Sequence, residues 1–185
     1  MTEVDSLEIS NFKRKLEVEF DIKELGKMKN FLGMEFATSK DGIFVNQSNY
    51  VLDLLKETGL TGCKAADTPI EPNVKLKTAA TNEVMDKAHY QRLVGRLIYL
   101  VHTRLVIAFA VSVVSQFMHS PEPTHFEAVF RILRYLKRTP GKAILFKKGE
   151  HLMIEAYTDA DWAVDVNDRR FTSSYCTFVD ENLVT

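Results

Sequence analysis

Apolar positions in the first third of the chain change from helical to strand spacing. Between positions 9 and 20 they recur every three or four residues after a capping pair, Asp5 and Glu8, which predicts a helix that ends before Gly26. Two short apolar runs then flank an Asp-Gly turn, and this pattern predicts a β-hairpin over residues 31–45. The first third therefore combines a helix with a hairpin.

Helical spacing returns after the hairpin and then stops. Val51, Leu54 and Leu55 lie on one face of a predicted second helix, for which Gly59 is the expected end. Residues 61–84 have little periodicity and contain two prolines, so they predict a linker.

Three helices are predicted after this linker. Their approximate ranges are 86–102, 104–119 and 124–138. A capping box of Thr124 and Glu127 is expected to open the third. The residues expected to be buried on the first are Leu93, Val94, Leu97 and Val101.

Strand periodicity takes over beyond Gly141 and completes a mixed α+β fold class. The predicted strands are Ala143–Phe146, Leu152–Tyr157 and Tyr175–Val179, with a further strand beginning at Leu183. No internal repeat interrupts this order of elements.

Composition indicates a globular protein with ordinary thiols. The 185 residues are 45% hydrophobic with a formal net charge of −1, which argues against a uniformly basic nucleic-acid binder. Cys63 and Cys176 have no metal-type spacing and are expected to be free in a reducing compartment. The N-terminus does not resemble a secretory signal, and the most apolar run, 105–114, is too short to cross a bilayer. We therefore expect a soluble intracellular protein.

Positive charge is concentrated between positions 131 and 148. This stretch contains seven basic residues and no acidic one, and Arg131, Arg134 and Arg138 share one helix face. A phosphate backbone is a natural partner for such a basic stripe. The alternative is the solvated face of an ordinary amphipathic helix, although that does not explain the absence of acid.

The first helix after the linker carries a second candidate surface. Gln91, Gly95 and Tyr99 lie four residues apart and form one stripe, which Arg92 and Arg96 flank. An amide, a missing side chain and an aromatic ring could lie along a duplex minor groove, with the arginines near phosphates. The alternative is a helix–helix crossing at Gly95 with solvated arginines.

Several separate motifs, in one order, resemble copia-type retrotransposon reverse transcriptases. The likeness covers essentially the whole chain. The motifs are Glu24–Gly26, Phe31–Gly33, Asp67–Pro69, Tyr90–Leu100, His102–Arg104, Ile107–Ala110, Arg134–Lys137, Thr139–Gly141, Tyr157–Ala163 and Asp168–Arg170.

The resemblance implies a division of the chain into parts of a Pol polyprotein. Residues 1–60 would be the end of the palm with a primer-grip-like hairpin, and 61–84 the linker. Residues 85–141 would form a helical thumb and connection, and 142–185 the first strands of a truncated RNase H-like domain.

The resemblance also gives the hairpin and the helical stripe a role. The hairpin over residues 31–45 resembles the element that holds the end of the primer, with Leu32, Gly33 and Met34 as the expected contact residues, and Gly33 would allow close approach to a sugar-phosphate chain. The alternative is an ordinary hairpin whose glycine marks a bulge. The stripe on the first helix after the linker resembles the minor-groove track of retroviral thumb helices.

Catalytic groups are expected to be incomplete. Asp159 matches the first metal-binding aspartate of the RNase H fold, in which two divalent ions act together, but one carboxylate cannot hold both. The other acids of that site would lie beyond Thr185, and the polymerase Tyr-x-Asp-Asp signature would precede the segment that begins at Thr2. We expect Mg²⁺ or Mn²⁺ in the parent enzyme and no tightly bound metal in this chain.

These observations predict a fragment of a reverse transcriptase with RNase H, inactive by itself. Its expected partners are an RNA/DNA hybrid or template–primer duplex and the rest of the Pol polyprotein, with no membrane. The parent element would act in a cytoplasmic particle or the nucleus. The alternatives are a non-catalytic module that binds the same duplexes and a protein-interaction role through exposed apolar surface.

Overall fold

The computed structural model describes residues 3–21, 26, 28–71, 76, 86–149, 153–161 and 172–184. Helices and strands are both present, which confirms the mixed α+β class. The helices are α1 Glu3–Glu19, α2 Ser48–Glu57, α3 Lys87–Val101, α4 Ala108–Ser115 and α5 Pro123–Arg138. The strands are β1 Asn30–Phe31, β2 Met34–Thr38, β3 Gly42–Asn46, β4 Ile144–Lys147, β5 Ile154–Asp161, β6 Thr172–Val179 and β7 Asn182–Leu183.

The hydrophobic core lies among α2, α3, α4 and α5. On α2 the predicted inward residues Val51, Leu54 and Leu55 are buried, and Gly59 follows the helix in a left-handed conformation, as expected. The core residues contributed by the other three helices are Tyr90, Leu93, Val94, Leu97, Leu100, Ala110, Val111, Val114, Phe126, Val129, Ile132, Leu133 and Leu136. Each fully buried Leu or Val stabilises the fold by about 1.5–3 kcal/mol, so this cluster is its main source of stability.

Helix α1 confirms the helical spacing at the start of the chain but contributes little to this core. Ile9 and Phe12, which the sequence placed on its apolar face, are 43% and 63% exposed. The side chains of Leu7, Ile9 and Phe12 are therefore largely uncovered by the part of the protein that the structure describes.

The starts of the helices differ in detail from the predicted caps. The Asp86 carboxylate caps α3 by accepting the His89 N–H at 2.9 Å. Helix α5 begins at Pro123, one residue earlier than predicted, and its N-cap is Glu122. The predicted capping box of Thr124 and Glu127 was therefore wrong. The predicted 104–119 helix is shorter, because a 3₁₀ turn over Leu105–Ile107 precedes α4.

The hairpin belongs to a four-stranded antiparallel sheet with the order β1-β2-β3-β4. Strand β4 follows α5 in the chain and pairs with β3, so that Ile43 lies opposite Phe146 and Phe44 opposite Leu145. The sequence grouped this strand with the RNase H-like segment, but it completes the sheet of the hairpin. The proposed domain boundaries themselves remain a prediction.

A second antiparallel sheet contains β5, β6 and β7 in that order. It is connected to β4 through Asn182, whose side-chain oxygen accepts the Lys147 N–H at 2.7 Å and whose amide donates to the Lys147 carbonyl at 3.0 Å. One asparagine side chain thus extends the hydrogen bonding of β4 toward the second sheet.

Gly42 is required where β3 meets β4. Its φ is +151°, and a Cβ at this position would overlap the carbonyl oxygen of Phe146. We predict that Gly42→Ala destabilises the protein by about 2–3 kcal/mol in urea unfolding. Gly62→Ala is the matched control, because no atom of the described residues lies within 4 Å of a Cβ at Gly62. Equal losses in the two variants would contradict the prediction.

A buried histidine makes stability depend on pH. His125 is 0% exposed, its Nδ1 accepts the Glu122 N–H at 2.9 Å, and its ring stacks on Phe117 with centroids 3.8 Å apart. Burial lowers the pKa of His125, an effect that the neighbouring Glu122 partly opposes. The histidine is therefore neutral in the fold, and Nδ1 must stay unprotonated to accept its hydrogen bond.

We predict that the free energy of unfolding falls as the pH drops below about 6.5. The unfolded chain takes up a proton on His125 in that range more readily than the folded chain, because burial lowers the pKa of His125 in the fold. Urea unfolding at several pH values should show a shallower pH dependence for His125→Asn, whose amide oxygen can still accept the Glu122 N–H. His119→Gln, at an exposed position, should leave the wild-type pH dependence unchanged. An identical pH dependence in His125→Asn and the wild type would refute the assignment.

Candidate nucleic-acid interface

The turn that joins β1 to β2, at the opposite end of the β2–β3 hairpin from its Asp-Gly turn, has an unusual backbone, and we call it the hairpin tip. Leu32 and Gly33 connect β1 to β2, and both have positive φ, at +50° and +79°. Two such residues in succession are typical of the tight turns that match the twist of paired strands. A Cβ on Gly33 would lie 3.3 Å from Cδ2 of Tyr50, so there is little room for a side chain at this position. The glycine therefore belongs to a tight turn rather than to a bulge.

This tip lies against helix α3. The Tyr99 hydroxyl donates a hydrogen bond to the Leu32 carbonyl at 2.5 Å. Tyr50, from α2, packs edge-on against the Tyr99 ring with centroids 5.4 Å apart. The structure thus joins two candidate sites that are 67 positions apart in the sequence. We call the result the tip–helix surface, formed by Leu32, Gly33, Met34, Gln91, Arg92, Gly95, Arg96 and Tyr99.

The middle of the tip–helix surface is open at Gly95. This glycine is exposed, and none of the residues described lies within 4 Å of a Cβ built on it. A helix crossing at Gly95, the alternative explanation of the stripe, therefore has no partner in the described part of the protein. Gln91 is exposed but already engaged, because its amide donates to the Met118 carbonyl at 3.0 Å.

The two arginines beside the stripe differ in how freely they can reach a ligand. Arg96 forms an ion pair with Glu57, its guanidinium lies 5.0 Å from the centre of the Tyr50 ring, and its side chain is 24% exposed. Arg92 lies 3.8 Å from Glu57, contacts His89 at 2.8 Å, and has a side chain that is 57% exposed. Arg92 is therefore the better placed of the two to contact a phosphate.

The basic stripe on α5 is bound by the segment that precedes α3. Arg131 donates to the Thr68 carbonyl at 3.2 Å, to its hydroxyl at 3.0 Å and to the Glu71 carboxylate at 2.6 Å. Arg138 pairs with Asp67 at 2.6 Å. These contacts hold the linker on α5 and leave the stripe less positive than its sequence indicates.

Arg134 also faces the linker rather than open solvent. Its carbonyl accepts the Ala66 N–H at 3.2 Å, and its Nε is buried without a hydrogen-bond partner among the described residues. With Ile70 and Glu71, Arg134 lines a small cavity of about 210 Å³ between the linker and α5.

Asp159 lies on β5, opposite Ser174 of β6. The orientation of its carboxylate lies outside what the structure describes, so its role as a metal ligand remains a prediction. Among the described residues there is no group of three His, Cys, Asp or Glu side chains that could hold a metal ion.

A buried polar cluster was missed by sequence reasoning. Arg104 is 2% exposed and donates to the Pro140 carbonyl, while the Thr103 hydroxyl donates to Gln47 Oε1 at 2.6 Å. Burial lowers the pKa of Arg104. In the sequence, the motif containing Thr103 and Arg104 contributes only to the resemblance. In the fold it ties the end of α3 to the start of α2 through Gln47 and to the end of α5 through Pro140.

No helix in the described ranges combines the length and apolar character needed to cross a membrane.

Comparison with known proteins agrees with the resemblance of the motifs. A family model described as reverse transcriptase (RNA-dependent DNA polymerase) matches residues 1–72. Retrovirus-related Pol polyproteins from transposon RE1 of Arabidopsis thaliana and transposon TNT 1-94 of Nicotiana tabacum are 39% and 35% identical over 90% of this chain. The chain spans only 11% and 13% of these two relatives. No solved structure matches it.

A shorter relative matches over most of its own length. An uncharacterized mitochondrial protein of Arabidopsis thaliana is 35% identical over 90% of this chain, which covers 69% of that protein. The same stretch of sequence therefore recurs both inside transposon polyproteins and in a shorter protein. The chain belongs to the reverse transcriptase family of copia-type retrotransposon Pol polyproteins.

Proposed function

We propose that this chain is the part of a retrotransposon reverse transcriptase that holds the template–primer duplex, and that the tip–helix surface is where the duplex lies. The observation that carries the proposal is the hydrogen bond between Tyr99 and the Leu32 carbonyl, which places the hairpin tip beside the exposed face of α3. The end of one strand of the duplex, at the tip, and the minor groove of the duplex, along α3, would then be held by one continuous surface.

The chemistry of this surface suits a sugar-phosphate backbone. Gly33 and Gly95 carry no side chain and are exposed, so a nucleic-acid strand can approach the protein backbone at both. Arg92 supplies an exposed cation next to them, and phosphate contacts of this kind position a protein without reading the base sequence. Such a surface holds duplexes of any sequence, as copying a whole element requires.

The position of the linker argues against an independent binding module built on α5. Such a module would use Arg131 and Arg138, but Glu71 and Asp67 already pair with them, and the side chain of Arg131 is only 27% exposed. The chain is better explained as a part of the polymerase than as a separate binder.

The parent enzyme would carry out RNA-directed DNA synthesis and cleavage of the RNA strand in hybrids. Its Mg²⁺ or Mn²⁺ ions would be held by aspartates of the Tyr-x-Asp-Asp signature, which is not in this sequence, and by RNase H carboxylates of which Asp159 would be the first. This chain would supply binding and positioning, with the rest of the Pol polyprotein as its partner.

Duplex binding by the purified chain tests the proposal. We predict that Arg92→Ala weakens binding of an RNA/DNA hybrid by about fivefold, or about 1 kcal/mol. The slope of the logarithm of the binding constant against the logarithm of salt concentration should fall by about one, because one phosphate contact is lost. Fluorescence anisotropy at several salt concentrations measures both. Arg138→Ala is the matched control, since its side chain is as exposed as that of Arg92, 58% against 57%, and its charge already pairs with Asp67. A larger loss in Arg138→Ala than in Arg92→Ala would place the interface on α5 instead.

Catalysis by the isolated chain is a separate test. We predict no primer extension and no hybrid cleavage with either Mg²⁺ or Mn²⁺, because two-metal chemistry needs several carboxylates around the two metal ions of each site. Gel assays on labelled template–primer and labelled hybrid would measure the two reactions. Metal-dependent product in either assay, lost in Asp159→Asn for the cleavage reaction, would show that the chain is an enzyme by itself.

A further inference from the structure

We infer that Tyr99, Tyr50 and Arg96 are positioning residues that fasten the hairpin tip to α3, and that they do not themselves hold the nucleic acid. With Glu57 they form a chain of contacts that we call the tip latch. The inference rests on the proposed function, because it assigns a role within the tip–helix surface. It changes the assignment of Tyr99 and Arg96, which the sequence placed among the residues that contact the duplex.

The tip needs an external anchor. Leu32 has φ +50°, a conformation that leucine adopts rarely because its Cβ crowds the backbone. The strand on one side of the turn, β1, is only two residues long and pairs through Asn30 with Glu35 and through Phe31 with Met34. So short a ladder provides little to hold a strained turn in one place.

Tyr99 supplies that anchor through its hydroxyl. The hydroxyl donates to the carbonyl of Leu32, the residue with the unfavourable φ, at 2.5 Å. Tyr99 is also partly buried and in edge contact with Tyr50, so its ring has limited freedom to turn toward a ligand. The hydrogen bond therefore fixes the turn relative to a helix that is itself held by the core.

Tyr50 and Arg96 support the anchor from beneath. The Tyr50 ring lies under Gly33, and Arg96 contacts Tyr50 twice, with its guanidinium 5.0 Å from the ring centre and its Nε 3.4 Å from the hydroxyl. The ion pair with Glu57 holds Arg96 in that position. The positive charge of Arg96 is thus directed at a carboxylate and a ring within the protein, and Arg92 remains as the exposed cation.

The ring and the hydroxyl of Tyr99 have different expected roles and can be tested separately. A ring that packs on the duplex would work equally well in phenylalanine, whereas a latch depends on the hydroxyl. Tyr99→Phe keeps the ring and removes the hydrogen bond. We expect hydrogen exchange of the peptide spanning 30–36 to become about five- to tenfold faster, with exchange in the α3 core peptide unchanged.

Duplex binding should follow the exchange result. We expect Tyr99→Phe to weaken binding of the RNA/DNA hybrid by about fivefold with an unchanged salt dependence, because no phosphate contact is lost. Tyr157→Phe, which removes an exposed hydroxyl on β5, is the matched control and should change neither measurement.

A second variant tests whether turn strain is the reason. Leu32→Asn creates Asn-Gly, the sequence that best tolerates two successive positive φ values in a hairpin. On this background the added Tyr99→Phe change should have a clearly smaller effect on exchange of the 30–36 peptide than it has in the wild type. A direct contact between Tyr99 and nucleic acid would give the same binding loss on both backgrounds.

The outcomes distinguish the latch from the proposed function. Unchanged exchange at the tip in Tyr99→Phe overturns the latch, whatever happens to binding. Faster exchange at the tip, reduced by Leu32→Asn, supports the latch even if neither the wild type nor any variant binds hybrid. In that last case the proposed function fails and the latch stands as a structural device.

Discussion

Helix α3 buries Tyr90, Leu93, Leu97 and Leu100 completely, and the packing of that face against α4 and α5 determines where the remaining elements lie. The Tyr90 hydroxyl adds one directed contact inside this apolar cluster, to the Val114 carbonyl at 2.7 Å. Once the apolar face is buried, the opposite face with Gly95 must point outward, because the helix period allows no other arrangement. The open face of the candidate interface is thus a consequence of the core.

The hairpin depends on that helix in a second way. Its tip includes Leu32, which has a positive φ, and is preceded by β1, a strand of only two residues. Neither feature favours this conformation without further contacts. Contacts from α2 and α3 hold the tip, and β4 holds the other edge of the hairpin sheet after the chain has passed through α5. For the proposed role of holding a strand end, such support matters because positioning errors at a reacting end are costly.

Charge is arranged differently from what a count along the sequence indicates. The stretch 131–148 is basic in sequence, but carboxylates from about 60 to 70 residues earlier pair with Arg131 and Arg138. Each exposed pair stabilises the fold by only about 0.2–1 kcal/mol, so their main consequence is to place the linker. The cation left most available near the candidate interface is Arg92, which the sequence placed, together with Arg96, beside the stripe and near phosphates.

The sequence alone determined the family, the α+β class, the hairpin, the burial of Val51, Leu54 and Leu55, and the stripe of Gln91, Gly95 and Tyr99. These follow from local periodicity, turn chemistry and motif order, which are properties of short stretches of the chain and can be recognised without knowing the tertiary structure. Only the tertiary structure decided that β4 joins the hairpin, that Glu122 rather than Thr124 caps α5, that Arg131 and Arg138 face the linker, and that Tyr99 bonds to Leu32. Three of these depend on contacts between residues far apart in the chain, and the cap was decided by a histidine whose ring nitrogen accepts a backbone N–H inside the core. Such contacts depend on how the helices pack, and no local pattern of residues encodes that packing.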